Sequence, residues 1–169
     1  MRPGDVYGPG SSPWTIRPVE TMRSGAFRLL DRGRGILTPV FVDDLVEGSL
    51  SLLDPDASAP RLRDAAVGQV FHVHGGAGVP AAEFFGHYAR MLGVRLKSVP
   101  SRLVLALAPV LERLPLPFSP RIVEYLSHPG TYSIDKIRRT TGWQPRIGLQ
   151  EGMDRTERWL RERAMLGRP

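Results

Sequence analysis

Asp43 and Asp44 stand side by side, and paired carboxylates can share a proton and so do acid–base chemistry. Neighbours in sequence need not face each other, however. An apolar pattern follows at Leu45, Val46, Leu50, Leu52 and Leu53. One aspartate is therefore expected to cap a helix, its carboxylate accepting from the free N–H groups of the first turn. His72 and His74 lie two apart in an expected strand and share a face, but no third ligand accompanies them, and no metal site is expected. Gly75-Gly76-Ala77-Gly78 is glycine-rich. It follows an internal strand and runs into Val79-Pro80, which makes it a turn rather than a phosphate cradle. In the opening stretch, Pro3 has a fixed φ and can present a rigid wall after a strand. Gly4, Gly8 and Gly10 permit either a close approach of backbone to a ligand or a tight loop.

The 169 residues suffice for one domain with a real core. There are no cysteines, so disulfides, thiolate metal sites and cysteine nucleophiles are excluded. A cytoplasmic location is expected, since the N-terminus carries no apolar signal core. The most apolar run, Leu103 to Leu111, is interrupted by Pro109 and is far shorter than the roughly 20 residues of a transmembrane span. The net charge of +6 and a pI near 10.4 raise the question of nucleic acid. The arginines are interleaved with acids, as in Arg158-Trp159-Leu160-Arg161-Glu162-Arg163, and no basic run alternates with stacking aromatics. A solvated basic surface without nucleic-acid binding is expected.

The elements that must position these residues follow from punctuation and period. Ile16 to Ser24 reads as a short helix ending at Gly25. Ile36 to Val42 reads as an edge or irregular strand, because it contains a proline. Asp54 to Ala66 reads as an exposed loop. Val70, Phe71 and Val73 form a short strand stopped by Gly75-Gly76. Glu83 to Leu92 is helical with Gly93 as its stop, and Val94 to Val99 alternates as a strand. Pro100 and Ser101 open a helix to about Leu114, broken by Leu114-Pro115-Leu116-Pro117. Further helices cover Pro120 to Leu126, Ser133 (as cap) to near Gly142, and Leu149 to about Ala164. The last presents Leu149, Met153, Thr156, Trp159 and Leu160 on one face. Trp143 and Trp159 are expected to pack. Short strands mixed with helices define a mixed α/β class.

Four stretches together resemble the extended short-chain dehydrogenase/reductase family, which includes NAD-dependent nucleotide-sugar epimerases and dehydratases and the 3β-hydroxysteroid dehydrogenase and dihydroflavonol reductase types. Arg2-Pro3-Gly4-Asp5-Val6-Tyr7-Gly8-Pro9-Gly10 looks like its R-P-x-x-V-Y-G-P-G loop. Val40-Phe41-Val42-Asp43-Asp44-Leu45-Val46-Glu47-Gly48 is similar to its strand-to-helix V-D-D segment. Gly68-Gln69-Val70-Phe71-His72-Val73 followed by Glu83-Phe84-Phe85 is the third. Asp135-Lys136-Ile137-Arg138-Arg139, Gly142-Trp143-Gln144-Pro145 and Leu149-Gln150-Glu151-Gly152 make the fourth. Each is weak alone, but their order and spacing span nearly the whole chain.

The resemblance implies the C-terminal, substrate-binding portion of an extended Rossmann-type reductase, lacking most of the parallel-sheet cofactor domain. Residues 1–169 then form a single partial domain, with residual Rossmann elements near 1–10 and 36–54 and a substrate-binding subdomain mainly over 68–165. By the same resemblance, Pro3, Gly4 and Val6 match positions that line the nicotinamide end of the cofactor. Ser11, Ser12 and Trp14 follow where the substrate loop lies.

The family's G-x-x-G-x-x-G fingerprint, which places phosphate at a helix N-terminus, is absent here. Its catalytic pair is Tyr-x-x-x-Lys, the lysine lowering the pKa of the tyrosine that moves the proton. Tyr132-Ser133-Ile134-Asp135-Lys136 matches literally, with Ser119 upstream, but in the family the pair precedes the R-P-x-x-V-Y-G-P loop. Ser133 as a cap also puts Tyr132 outside the helix. No catalytic residue is therefore expected in this chain. NAD or NADP is expected in a complete relative and not on this chain alone. A truncation, a frameshift or a misassigned start would each account for the missing half.

The expected function is a substrate-binding fragment of an NAD(P)-dependent epimerase/dehydratase or hydroxysteroid-type oxidoreductase, inactive alone. Its small-molecule substrate is steroid-like or nucleotide-sugar-like, with the apolar Leu103–Leu111 helix tilting toward the former. The alternative is a non-catalytic binding module that kept the substrate-domain fold. Partners would be a separate Rossmann-containing protein or a second copy. Without the cofactor half, Val6, Tyr7, Val40, Val42, Leu45 and Leu50 are expected to lose their cover.

Overall fold

The structure, a computed structural model, describes residues 1–53, 66–111 and 119–166. The loop expected from Asp54 and the Leu114–Pro117 break lie outside the described residues. The chain folds as two compact units that interleave along the sequence. One comprises Met1–Arg17, Thr38–Gly78 and Thr131–Pro169, the other Pro18–Leu37 and Val79–Gly130.

In the first unit, β1 (Arg2–Pro3) and β2 (Asp5–Tyr7) are consecutive but take different partners. β1 runs parallel to β6 (His72–Val73), with Arg2 opposite His72. β2 runs parallel to β5 (Pro39–Phe41), with Asp5 opposite Pro39. A π-helical turn covers Ser12–Ile16 and leads into α1 (Arg17–Arg23). The long helices are α2 (Val42–Leu53) and α8 (Leu149–Glu162), with α7 (Asp135–Thr141) between them in sequence. α8 buries Gly152, Met153, Thr156 and Leu160, the face its 3.6-residue period marked out. Trp143 joins Phe71, Val73, Ile134 and Ile137 in a buried cluster. Trp159 is half-buried and carries the Arg163 guanidinium 5.8 Å above its ring.

The second unit has a parallel pair, β3 (Arg28–Leu30) with β8 (Lys97–Val99), and an antiparallel pair, β4 (Ile36–Leu37) with β7 (Val79–Pro80). Its main helix is α3 (Ala81–Leu92), whose Phe84 and Tyr88 are fully buried with ring centroids 5.8 Å apart. α4 (Ser101–Ala106), α5 (Ala108–Leu111), α6 (Pro120–Ser127) and, from Pro18 on, α1 belong to it as well.

The stretch read as one irregular strand, Ile36 to Val42, is two strands broken at Thr38, with Val42 already helical. The apolar run at Leu103 is likewise two short helices, and Leu103 is 52% exposed. Gly93 and Gly142 end their helices as read, in left-handed conformation at φ +66° and +74°, which L side chains take only at a cost. Ser133 stands one residue before the cap position of α7, yet its hydroxyl accepts the Asp135 N–H at 3.0 Å. No helix among the described residues is long and apolar enough to cross a membrane.

Candidate functional site

The Arg2–Trp14 stretch is held by backbone on both sides. The N–H groups of Arg2 and Gly4 donate to the carbonyls of Phe71 (2.7 Å) and Val73 (2.9 Å). Pro3, between them, has no N–H to give, and a parallel ladder asks for none at that alternate position. Pro3 is exposed, while Gly4 and Val6 are half-buried.

Gly4 is the crossing point from one strand pair to the other. A Cβ there would lie 2.1 Å from the Thr38 carbonyl oxygen and 2.7 Å from His74 Cβ. The close approach that glycine permits at this position is thus to the protein's own backbone. Asp5, 1% exposed, makes the crossing rigid. Its N–H donates to the Thr38 carbonyl at 2.9 Å, and its carboxylate accepts the Thr38 N–H at 2.7 Å.

Beyond β2 the chain closes on itself. The Ser11 hydroxyl donates to the Val6 carbonyl at 2.7 Å and accepts from Trp14 N–H at 3.4 Å, capping the π-helical turn. Such turns recur at functional sites. The Gly8 N–H donates to buried Thr15 Oγ1 at 3.1 Å. Val6 and Ser11, read separately as cofactor- and substrate-contacting residues, are therefore joined directly. Ser12 is exposed and Trp14 half-buried. Tyr7 is buried beneath this stretch, its ring edge-on to Phe41 at 5.6 Å. Burial, and then the carboxylates of Asp44 and Glu151, hold its phenol far above its ordinary pKa, so it stays a neutral packing residue.

Asp43 and Asp44 require a correction. Both lie inside the first turn of α2, not before it, so neither occupies the expected cap position. Asp44, 2% exposed, instead accepts the backbone N–H groups of Arg146 and Ile147 at 3.0 Å each. Asp43 points outward, 3.5 Å from the Arg155 guanidinium. The two carboxylates do not form an acid–base pair.

Tyr132 and Lys136 are not brought together either. Tyr132 is 52% exposed and its ring stacks on His72 at 4.7 Å. Lys136 Nζ donates to Gln69 Oε1 at 2.9 Å and lies over the Phe71 ring. His74 is 1% exposed, with Nε2 2.8 Å from the Tyr132 carbonyl and Nδ1 accepting Gly76 N–H at 3.2 Å. Among the described residues no group of three His, Cys, Asp or Glu side chains is placed to hold a metal. Asp5 and Thr38 were missed by sequence reasoning, and His74 was read only as one of two histidines sharing a strand face, not as a buried, doubly bonded side chain. The Asp5–Thr38 bond and the His74–Tyr132 bond span 33 and 58 residues, and no local pattern signals them.

No protein-family profile matches the chain. It is 26% identical over 165 residues to a 2-alkyl-3-oxoalkanoate reductase of Stenotrophomonas maltophilia (strain K279a), covering 92% of this chain and 49% of that protein. It is 24% identical over 170 residues to 3beta-hydroxysteroid-dehydrogenase/decarboxylase isoform 1 of Arabidopsis thaliana, covering 92% of this chain and 38% of that one. Among solved structures, the UDP-glucuronic acid 4-epimerase of Bacillus cereus, in complex with UDP-glucuronic acid and NAD, superposes with a TM-score of 0.63 at 16% identity, over 95% of this chain and 44% of that one. The chain thus spans half or less of the length of these relatives. The proteins it matches belong to the extended short-chain dehydrogenase/reductase family, that of the NAD-dependent epimerases and dehydratases.

Proposed function

We infer that this chain is the substrate-side portion of an NAD(P)-linked reductase or epimerase and does no redox chemistry alone. The observation that carries the reading is the rigid Pro3–Val6 stretch. It runs from the carboxyl end of β1, which pairs in parallel with β6, across Gly4 into β2; Rossmann-type sheets bind their ligands beyond the carboxyl ends of parallel strands, and the sequence has neither a glycine fingerprint nor a positioned Tyr–Lys pair. Pro3, Gly4 and Val6 would flank the nicotinamide of a cofactor held mainly by a fingerprint-bearing half. Ser12 and Trp14 would meet the substrate, while Ser11 shapes their turn. The substrate is a small ketone or alcohol, steroid-like or nucleotide-sugar-like. The named relatives act on an oxoalkanoate and a hydroxysteroid, and the epimerase holds a nucleotide sugar. A separate Rossmann-containing protein in the cytoplasm is the partner this reading requires; a second copy, lacking the fingerprint, could add cover but not the cofactor site.

Titration calorimetry of the chain with NADH and NADPH tests it, together with chemical-shift mapping using uridine diphosphate and a 3-ketosteroid. The expected result is no micromolar cofactor binding, with shifts confined to the Val6–Trp14 region on adding one of the two substrate probes. Micromolar cofactor affinity would overturn the first half. Absence of any shift with both probes would overturn the second and favour the non-catalytic binding module.

A further inference from the structure

His74 sits at the carboxyl end of β6, directly after Val73 and against Gly4. Its two ring nitrogens make opposite demands. The Tyr132 carbonyl can only accept, so Nε2 must carry the hydrogen; the Gly76 N–H can only donate, so Nδ1 must be bare. Only the neutral Nε2–H tautomer satisfies both, an assignment that rests on the partners. The loop that follows, Gly75-Gly76-Ala77-Gly78, is exposed throughout and buries no side chain to hold it. Its first residue is tied independently, the Gly75 N–H donating to the Pro39 carbonyl at 2.8 Å. Gly76 is at φ +85°, a conformation that glycine alone takes without penalty.

We propose that His74 is a proton-operated latch: neutral, its Nδ1 holds the Gly76 amide and keeps the loop after β6 closed; protonated, it releases the loop from Gly76 onward. A second proton on Nδ1 would point at the Gly76 N–H, donor against donor, and that bond must break. The other bond survives, because a charged imidazole donates from Nε2 to the Tyr132 carbonyl more strongly than a neutral one. Release is therefore one-sided. The Tyr132 tether and the Gly75–Pro39 bond stay, and the hinge falls between Gly75 and Gly76.

The groups facing the ring set the direction. Burial of the imidazole is the largest influence and opposes the charged form. The Tyr132 carbonyl favours it, His72 on the same strand opposes it, and the Asp5 carboxylate from β2 favours it. Tyr132 turns its own ring onto His72, not onto His74. The balance holds His74 below its ordinary value of 6.5, so the loop is closed at neutral pH and opens only on acidification below that value. This inference does not depend on the proposed function, since it concerns the order of a loop in the chain by itself.

Solvent-exchange NMR on the full chain, with 15N-labelled histidine followed in the same samples, tests it. The Gly76 protection factor should fall about tenfold per pH unit as pH drops toward the His74 pKa, then level off, following the titration of that imidazole. The Gly75 amide should keep its protection over the same range. In His74→Asn the side-chain oxygen can take the place of Nδ1 without titrating, and the Gly76 protection factor should become independent of pH. Gly76 protection that stays constant through the His74 titration overturns the proposal. So does simultaneous loss of protection at Gly75, Gly76 and the amides of α8, which would mean general unfolding. Should His74→Asn fail to fold, the wild-type comparison of Gly75 with Gly76 decides alone.

Discussion

Asp44 accepts the backbone N–H of Ile147 at 3.0 Å across a separation of 103 residues, and with its other oxygen the N–H of Arg146. One buried carboxylate in the first turn of α2 thereby pins the loop that leads into α8. Replacing Asp44 by Ala strips both donors of their acceptor and should cost about 1 to 3 kcal/mol. Asp44→Asn should move the same way, because its amide turns a donor toward one of the two N–H groups. Asp43→Ala loses only an exposed ion pair and should cost less than about 1 kcal/mol. Urea denaturation of the three variants checks the order. Equal midpoints for the Asp43 and Asp44 variants would refute the assignment.

That pair also shows where the sequence stops speaking. The V-D-D pattern located the start of α2 to within three residues, since apolar periodicity is a local signal. Which aspartate is buried, and what it accepts, depends on a loop more than a hundred residues away. Gly93 and Gly142 were legible because a helix stop is decided by the φ of one residue. The single strand expected over Ile36–Val42 was not, because its two halves answer to different partners: Val79–Pro80 for Ile36–Leu37, and Asp5–Tyr7 for Pro39–Phe41. In the candidate site, the motif named the stretch from Arg2 to Gly10, and Ser11, Ser12 and Trp14 were placed only by following it. The clamp that makes it rigid, Asp5 on Thr38, and the bonds that satisfy buried His74 are tertiary facts.

Two glycines should respond oppositely to alanine. At Gly4 the added methyl would lie 2.1 Å from the Thr38 carbonyl oxygen, an atom of a paired backbone that cannot rotate away. Overpacking of this kind costs typically 1 to 3 kcal/mol, and Gly4→Ala should lose at least that. At Gly86, within α3, nothing lies within 4 Å of the added methyl. Gly86→Ala should stabilise by roughly 0.5 to 1 kcal/mol, through reduced freedom of the unfolded chain. Thermal melts of both variants read the signs directly. A neutral Gly4→Ala would remove the close crossing as the reason for glycine there.

Stability should fall on mild acidification. The folded chain holds His74 below its ordinary value of 6.5, so the unfolded chain binds the proton more readily. The stabilisation from neutral His74 is fully present above about pH 6.5 and is lost progressively as pH falls toward the lower folded-state value. Denaturation midpoints measured from pH 7.5 to 5 should show this decline, and His74→Asn should flatten it. A wild-type stability that rises over this window would contradict the burial of a neutral imidazole.

Of the residues expected to lose cover, Leu50 alone is exposed, at 55%. Tyr7 and Val40 are 2% and 1% exposed, buried within the unit itself, and Val6, Val42 and Leu45 are half-buried. One stripe of α2 stands open. Val46, Leu50 and Leu53, at helical spacing, are 51%, 55% and 78% exposed. Met1, 52% exposed, lies alongside, its sulfur 3.4 Å from the Ser49 hydroxyl. Apolar surface left in water forfeits about 25 cal/mol per Å², and contiguous patches of a few hundred Å² promote association. The chain alone is expected to bind an apolar fluorescent dye and to sediment with a concentration-dependent mass. The double variant Leu50→Glu, Leu53→Glu should lower both signals without lowering the melting temperature, because neither side chain belongs to the core. A wild-type chain that sediments as a sharp monomer, binds no dye and melts cooperatively above about 60 °C, the upper range for mesophile domains, would show that the stripe is a tolerated surface and that α2 needs no cover.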